Sequence, residues 1–168
     1  MKKLLILAVL IAACGGSNDG EEAKQLEYIP GETPTAGVYL RLVTLDDQSL
    51  TLEVVGKEIT GLYGLAFRLY YDPDVLDFTE MTPAAAWPAN STSIARKHPT
   101  GILTAAITNR GPAAGLDFPD QVLATLRFKL LNQGDSCVNF IDLRCALVDT
   151  TGTEIPDQTW TGGRLELR

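Results

Sequence analysis

Gly61-Leu-Tyr-Gly-Leu-Ala-Phe-Arg-Leu-Tyr-Tyr-Asp-Pro-Asp-Val-Leu-Asp-Phe78 joins two strand patterns through one sharp turn. Leu65, Phe67, Leu69 and Tyr71 alternate with Gly64, Ala66, Arg68 and Tyr70, the period of two that marks a strand with one buried face. Asp72-Pro73 breaks the ladder, because proline lacks an N–H and fixes its own φ while the aspartate side chain can bond nearby backbone. Val75 to Thr79 resumes the extended pattern, with Leu76 and Phe78 on one face.

Working outward, the chain from Val38 on reads as strands at roughly the 8 to 12 residue spacing of a sandwich. Val38, Leu40 and Leu42 alternate with Tyr39, Arg41 and Val43, and Leu50, Leu52 and Val54 with Thr51, Glu53 and Val55. In Val122 to Leu130, Val122, Ala124, Leu126, Phe128 and Leu130 are expected inside, and Leu123, Thr125, Arg127 and Lys129 outside. Ile102–Thr108, Cys137–Ile141, Cys145–Asp149 and Arg164–Leu167 complete the set, with one short strand near Ser91–Ala95 in the proline-bearing stretch 82–101. No stretch after the N-terminus has a helical period. About 130 residues suffice for one sandwich core and are too few for two domains.

The first 37 residues read differently. Lys2-Lys3 followed by apolar Leu4 to Ala13 is a basic start and a hydrophobic run too short to cross a bilayer, which predicts an export signal over residues 1–13. It ends in Ile11-Ala12-Ala13-Cys14-Gly15, which is similar to the lipobox of bacterial lipoproteins; that resemblance implies lipid attachment at Cys14 and stable anchoring to a membrane. Gly15, in place of an aspartate after that cysteine, points to the outer membrane or cell surface. Residues 14–37, polar and rich in glycine and acids at first, are expected to form a flexible tether, with the folded domain occupying 38–168.

Loss of Lys2 and Lys3 with the leader takes the formal charge from −7 to −9. Such a surface repels nucleic acid and anionic lipid. With Cys14 lipidated, Cys137 and Cys145 remain as an even pair in an oxidising compartment, where a disulfide is expected and two buried free thiols are the alternative.

Catalytic patterns are missing. His98 is the single histidine, in the proline-flanked Arg96-Lys97-His98-Pro99, and no serine sits in a Gly-x-Ser-x-Gly elbow. Asp72, Asp74 and Asp77 offer closely spaced oxygens but lack the glycine and distal glutamate of an EF-hand loop, so neither a metal nor another cofactor is expected. The reading is a non-catalytic binding module. Arg68, Tyr70, Arg127 and Lys129, outward on their strands, are the expected partner-binding anchors, a basic and aromatic patch on an otherwise acidic domain.

The apolar strand, the Tyr-Asp-Pro turn and the Val-Leu-x-Phe that follows resemble the early strand pair of cohesin domains, the β-sandwich receptors of cellulosome-type assemblies. Ile102–Asn109, Val122–Phe128, Cys145–Ile155 and Gly163–Leu167 are similar to later family strands in matching order. The resemblance implies an all-β, single jelly-roll sandwich of about nine strands, presenting a flat sheet face to a dockerin, a calcium-bearing helical module on another protein. The match departs at the family's contact positions. Gly64 and Ala66 stand where type I cohesins carry outward asparagine and aspartate, and Thr108 where they carry a further acidic contact. Direct polysaccharide binding is the alternative, because carbohydrate-binding modules share the architecture. Trp87, Trp160, Tyr39, Tyr63 and Tyr70 are the rings a sugar would stack on.

Overall fold

The computed structural model describes residues 25–168. The expected leader, the lipidation cysteine Cys14 and the acidic first part of the tether lie outside the described residues.

Two sheets pack face to face as a jelly-roll sandwich. In chain order the strands are β1 (Leu26–Pro30), β2 (Gly37–Leu45), β3 (Ser49–Leu62), β4 (Gly64–Tyr70), β5 (Leu76–Pro83), β6 (Thr92–His98) and β7 (Ile102–Thr108). They continue with β8 (Leu116–Leu130), β9 (Ser136–Phe140), β10 (Ala146–Val148), β11 (Thr159–Thr161) and β12 (Gly163–Leu167), and a single 3-10 turn at Asp142–Arg144 lies between β9 and β10. One sheet runs β1-β12-β9-β4-β7-β6, with β10 also beside β4; the other runs β11-β2-β3-β8-β5.

Alternation places the core as the apolar periods require. Leu65, Phe67 and Leu69 of β4 and Tyr71 just beyond it are all buried, as are Leu76 and Phe78 of β5. Tyr71 meets Phe128 of β8 edge to face at 5.3 Å between ring centroids, which ties one sheet to the other. Phe67 meets Phe140 of β9 at 5.6 Å in the same manner. Each such pair adds about 0.5 to 1.5 kcal/mol beyond its buried area. The Asp72 carboxylate accepts the Asp74 N–H at 2.9 Å, closing the turn that the Asp-Pro pair predicts.

Three sequence expectations need correction. Twelve strands form among the described residues where about nine are expected. One of the extra strands is β1, inside the segment read as tether; Tyr28 is buried in the core and Leu26 to Pro30 pair along β12 from Leu167 to Gly163, so the ordered chain begins well before Val38. Second, β3 and β8 each run past their expected ends, β3 reaching Leu62 and β8 starting at Leu116.

The third correction concerns Leu123. Register shifts between Val54, opposite Ala124, and Val55, opposite Val122, so Leu123 is an extra residue in β8. Such a bulge turns two successive side chains to the same side, and Leu123 and Ala124 are both fully buried. The Leu123 carbonyl, released from regular pairing, accepts the Trp87 indole N–H at 2.9 Å.

Candidate docking face

The outer surface of β4, β7 and β6 is the most unusual feature of the molecule. Unbroken antiparallel register aligns their outward side chains in rows: Ala66, Ala106 and Ile94 in one, Arg68, Thr104 and Arg96 in the next, Tyr70, Ile102 and His98 in the third. Small residues keep the middle flat. Ile94 is 49% exposed and Tyr70 43%, and Leu143, on the 3-10 turn that packs beside β4, is 97% exposed.

Electrostatics add to the character of the same surface. Aspartate and glutamate number 21 in the chain, yet none occupies β4, β6 or β7. Among the described residues Arg68 and Arg96, like Arg110 and Arg144, have no carboxylate within 4 Å, whereas Arg41, Arg127, Arg164 and Arg168 each do. The face is thus a flat, partly apolar, uncompensated cationic surface.

The four expected anchors do not form one patch. Arg68 and Tyr70 lie on this face, but Arg127 and Lys129 belong to β8 and point outward from the other sheet, on the opposite side of the sandwich. Arg127 there faces Glu80 at 3.6 Å across the pairing of β5 with β8. Alternation tells inside from outside but not which sheet a strand joins, and so equates two outward faces that are in fact a sandwich apart. Arg96 and Ile94 are what the sequence reading missed; β6 lies in a proline-bearing stretch, and only its register with β7 shows where they stand.

Of the three type I contact positions, Ala66 and Thr108 are exposed. Gly64 is buried: a Cβ there would sit 3.0 Å from the Val148 side chain of β10 and 3.2 Å from the Thr108 hydroxyl. The Val148 side chain closes the β4 end of this row, so on β4 the open face begins at Ala66.

The expected Cys137–Cys145 disulfide is also corrected, since both thiols are free. Cys137 points outward from β9, whereas the Cys145 Sγ–H donates to the Ile141 carbonyl at 3.3 Å and sits 3.7 Å from the Arg68 carbonyl. Ile141 follows Cys137 by four positions, about 13 Å along the chain at strand rise. A disulfide requires Cα atoms within about 7 Å. Burial pushes the Cys145 thiol up to about 11. Cys145 and the Ile141 N–H, 2.9 Å from the Arg68 carbonyl, together hold the edge of β4 where β9 ends and β10 begins.

The rings expected for sugar stacking are mostly spent inside. Trp87 is 6% exposed, Trp160 packs edge to face on Phe140 at 5.2 Å, and the Tyr39 hydroxyl donates to Asp120 at 2.8 Å from a buried position. The Tyr63 hydroxyl donates to the Gly111 carbonyl at 2.6 Å. Tyr70 alone of the five stands exposed, and one ring makes no platform for a polysaccharide. Two of the acidic trio are similarly committed: Asp72 caps its own turn, and Asp77 pairs with Lys97 at 2.5 Å.

No protein-family model matches the chain, and no curated protein does. Solved structures do. A type II cohesin domain from the cellulosome of Acetivibrio cellulolyticus aligns with a TM-score of 0.57 at 22% identity, over 74% of this chain and 90% of that one. The sixth cohesin of the same organism's scaffoldin B, solved in complex with a mutant Cel5 dockerin, aligns with a TM-score of 0.60 at 19% identity over 76% and 96%. A cohesin module from a Clostridium perfringens family 33 glycoside hydrolase aligns with a TM-score of 0.61 at 8% identity over 80% and 97%. With sequence identity this low and nearly the whole of each module aligned, what is shared is the backbone architecture: the chain has the cohesin fold.

Proposed function

We propose that this chain is a non-catalytic docking module, held at a bacterial envelope through lipid on Cys14, whose β4–β7–β6 face receives a protein partner of the dockerin type. The observation that carries the reading is the concentration of exposed Ile94 and Tyr70 and of Arg68 and Arg96, without a salt bridge among the described residues, on one flat surface whose three strands carry no carboxylate. A preformed sheet face binds with little backbone movement, and a few aromatic, aliphatic and arginine anchors supply most of the affinity. The complex of the scaffoldin B cohesin with a dockerin supports the class of partner. Burial of Trp87 and Tyr39 disfavours direct polysaccharide binding.

The test is capture by the full-length protein in detergent from the source organism's secreted and envelope proteins, with and without EDTA, beside a polysaccharide pull-down. Calcium-dependent recovery of a protein bearing a duplicated calcium-loop module supports the reading. Retention on polysaccharide with no protein recovered contradicts it. Incorporation of labelled palmitate, abolished by Cys14→Ser, tests the anchor separately.

A further inference from the structure

We infer that the partner presents two carboxylates about 10 Å apart on one helix face, clamped by Arg68 and Arg96 astride Thr104. This deepens the docking reading above and rests on it. Arg68 and Arg96 both pair with Thr104 in the sheet register, one from β4 and the other from β6. Two strand spacings of roughly 4.8 Å put them about 9.6 Å apart. On an α-helix, residues seven apart return to the same face and are about 10.5 Å apart along the axis. A helix laid across the strands therefore matches the two guanidinium groups with acidic residues two turns apart.

The neighbouring row supplies the bed for such a helix. Ala66 and Ala106 have no side-chain bulk to hold a backbone off, and Ile94 ends the row half exposed. Arginine suits the task better than lysine, since its planar fork takes a carboxylate through two parallel N–H···O bonds. Nothing within the described residues competes for either fork, because no carboxylate lies within 4 Å of them and none occurs in β4, β6 or β7. On a chain whose net charge is −7, an acidic partner would be repelled from most of the surface and drawn to this one. Charge complementarity thus fixes both where the partner lands and which way it lies. A partner with a basic helix face is excluded by the same argument.

A surface-displayed library of calcium-loaded dockerin domains, randomised on the exposed positions of their helices and sorted against the full-length protein at low salt, tests the clamp. Enrichment of Asp or Glu at two positions seven apart is expected. Selected clones should lose more than about 30-fold in affinity against Arg68→Glu/Arg96→Glu, and lysine at the two acidic positions should restore binding to that variant. Enrichment of Lys or Arg, or clones indifferent to the double reversal, overturns the clamp. Ala106→Trp separates the two levels of the argument: clones that lose binding to it but ignore the arginine reversals dock on this face without the clamp. Clones that ignore both, or a library that yields no calcium-dependent binder, sink the docking reading and the clamp with it.

Discussion

Arg68 and Arg96 stand on opposite sides of Thr104 in one row of one sheet face, although 28 positions of chain separate them. The β4–β7 and β6–β7 ladders produce that placement. Because both cations are solvent-facing and unpaired, binding through them should weaken as ionic strength rises, with the on-rate falling most. Stopped-flow association at 50 and 500 mM salt should show a drop of roughly tenfold or more for a dockerin-type partner; a salt-independent on-rate would mean that the face binds through its apolar rows alone.

The two domain thiols should behave differently. Cys137 is exposed on β9, while Cys145 is partly buried with its thiol raised to about 11. In Cys14→Ser protein at pH 8, DTNB should modify one thiol rapidly and the second only on unfolding. Two fast thiols, or none, would contradict the geometry.

The same shift predicts an alkaline effect. A thiol whose folded value lies above its unfolded one keeps its proton in the native state while the unfolded chain loses it, so stability falls as pH rises from about 9 towards 11. Tyr28, Tyr39 and Tyr71 are raised in the same sense and add to the decline. Urea midpoints of Cys145→Ala should fall less steeply across that window than those of the parent. Parallel curves would show that the thiol is not desolvated.

On the acid side, Asp149 is held below its ordinary value by the Thr151 hydroxyl and by the N–H groups of Thr151 and Thr153. A depressed carboxylate contributes stability that is present above its unfolded value and lost as pH falls through its folded one. Asp149→Asn should therefore be less stable than the parent near neutrality, and the difference should narrow below about pH 4. Asp149 is exposed, so the effect should be small; a gap that widens on acidification would reverse the sign argued here.

Tyr28 invites a less intuitive result. Among the described residues its hydroxyl is buried without a hydrogen-bond partner, and Gly163 leaves it room, since a Cβ there would collide with it. Removing an unsatisfied hydroxyl releases a desolvation cost of about 1 to 3 kcal/mol, so Tyr28→Phe should unfold at the same or higher denaturant concentration. Gly163→Ala should destabilise. Loss of stability in Tyr28→Phe would reveal a partner, such as a buried water, for that oxygen.

What the sequence shows of this molecule follows from which forces are local. Inward Leu65, Phe67, Leu69 and Tyr71, the Asp72 turn, and Leu76 with Phe78 are each readable because strand period and turn chemistry act within a few residues. Leu123 is expected outside and lies inside because a bulge inverts the alternation and leaves no mark in the residue pattern. The separation of Arg68 from Arg127 was invisible for a deeper reason: membership of a sheet is decided by pairing between distant segments, which periodicity does not encode. The same holds for Cys137 and Cys145, close in sequence yet held apart by an extended strand between them. Tyr28 escaped because its strand pairs with the C-terminal one, almost the full length of the domain away.

The most direct test of the docking face compares two double variants on opposite sides of the sandwich, Arg68→Ala/Tyr70→Ala and Arg127→Ala/Lys129→Ala, by calorimetric titration with a calcium-dependent partner captured as described above. Loss of two exposed anchors from the β4–β7–β6 face should weaken binding more than about tenfold, while the pair on β8 should leave it unchanged. Undiminished affinity in the first variant, with loss in the second, would move the binding surface to the other sheet and contradict the account.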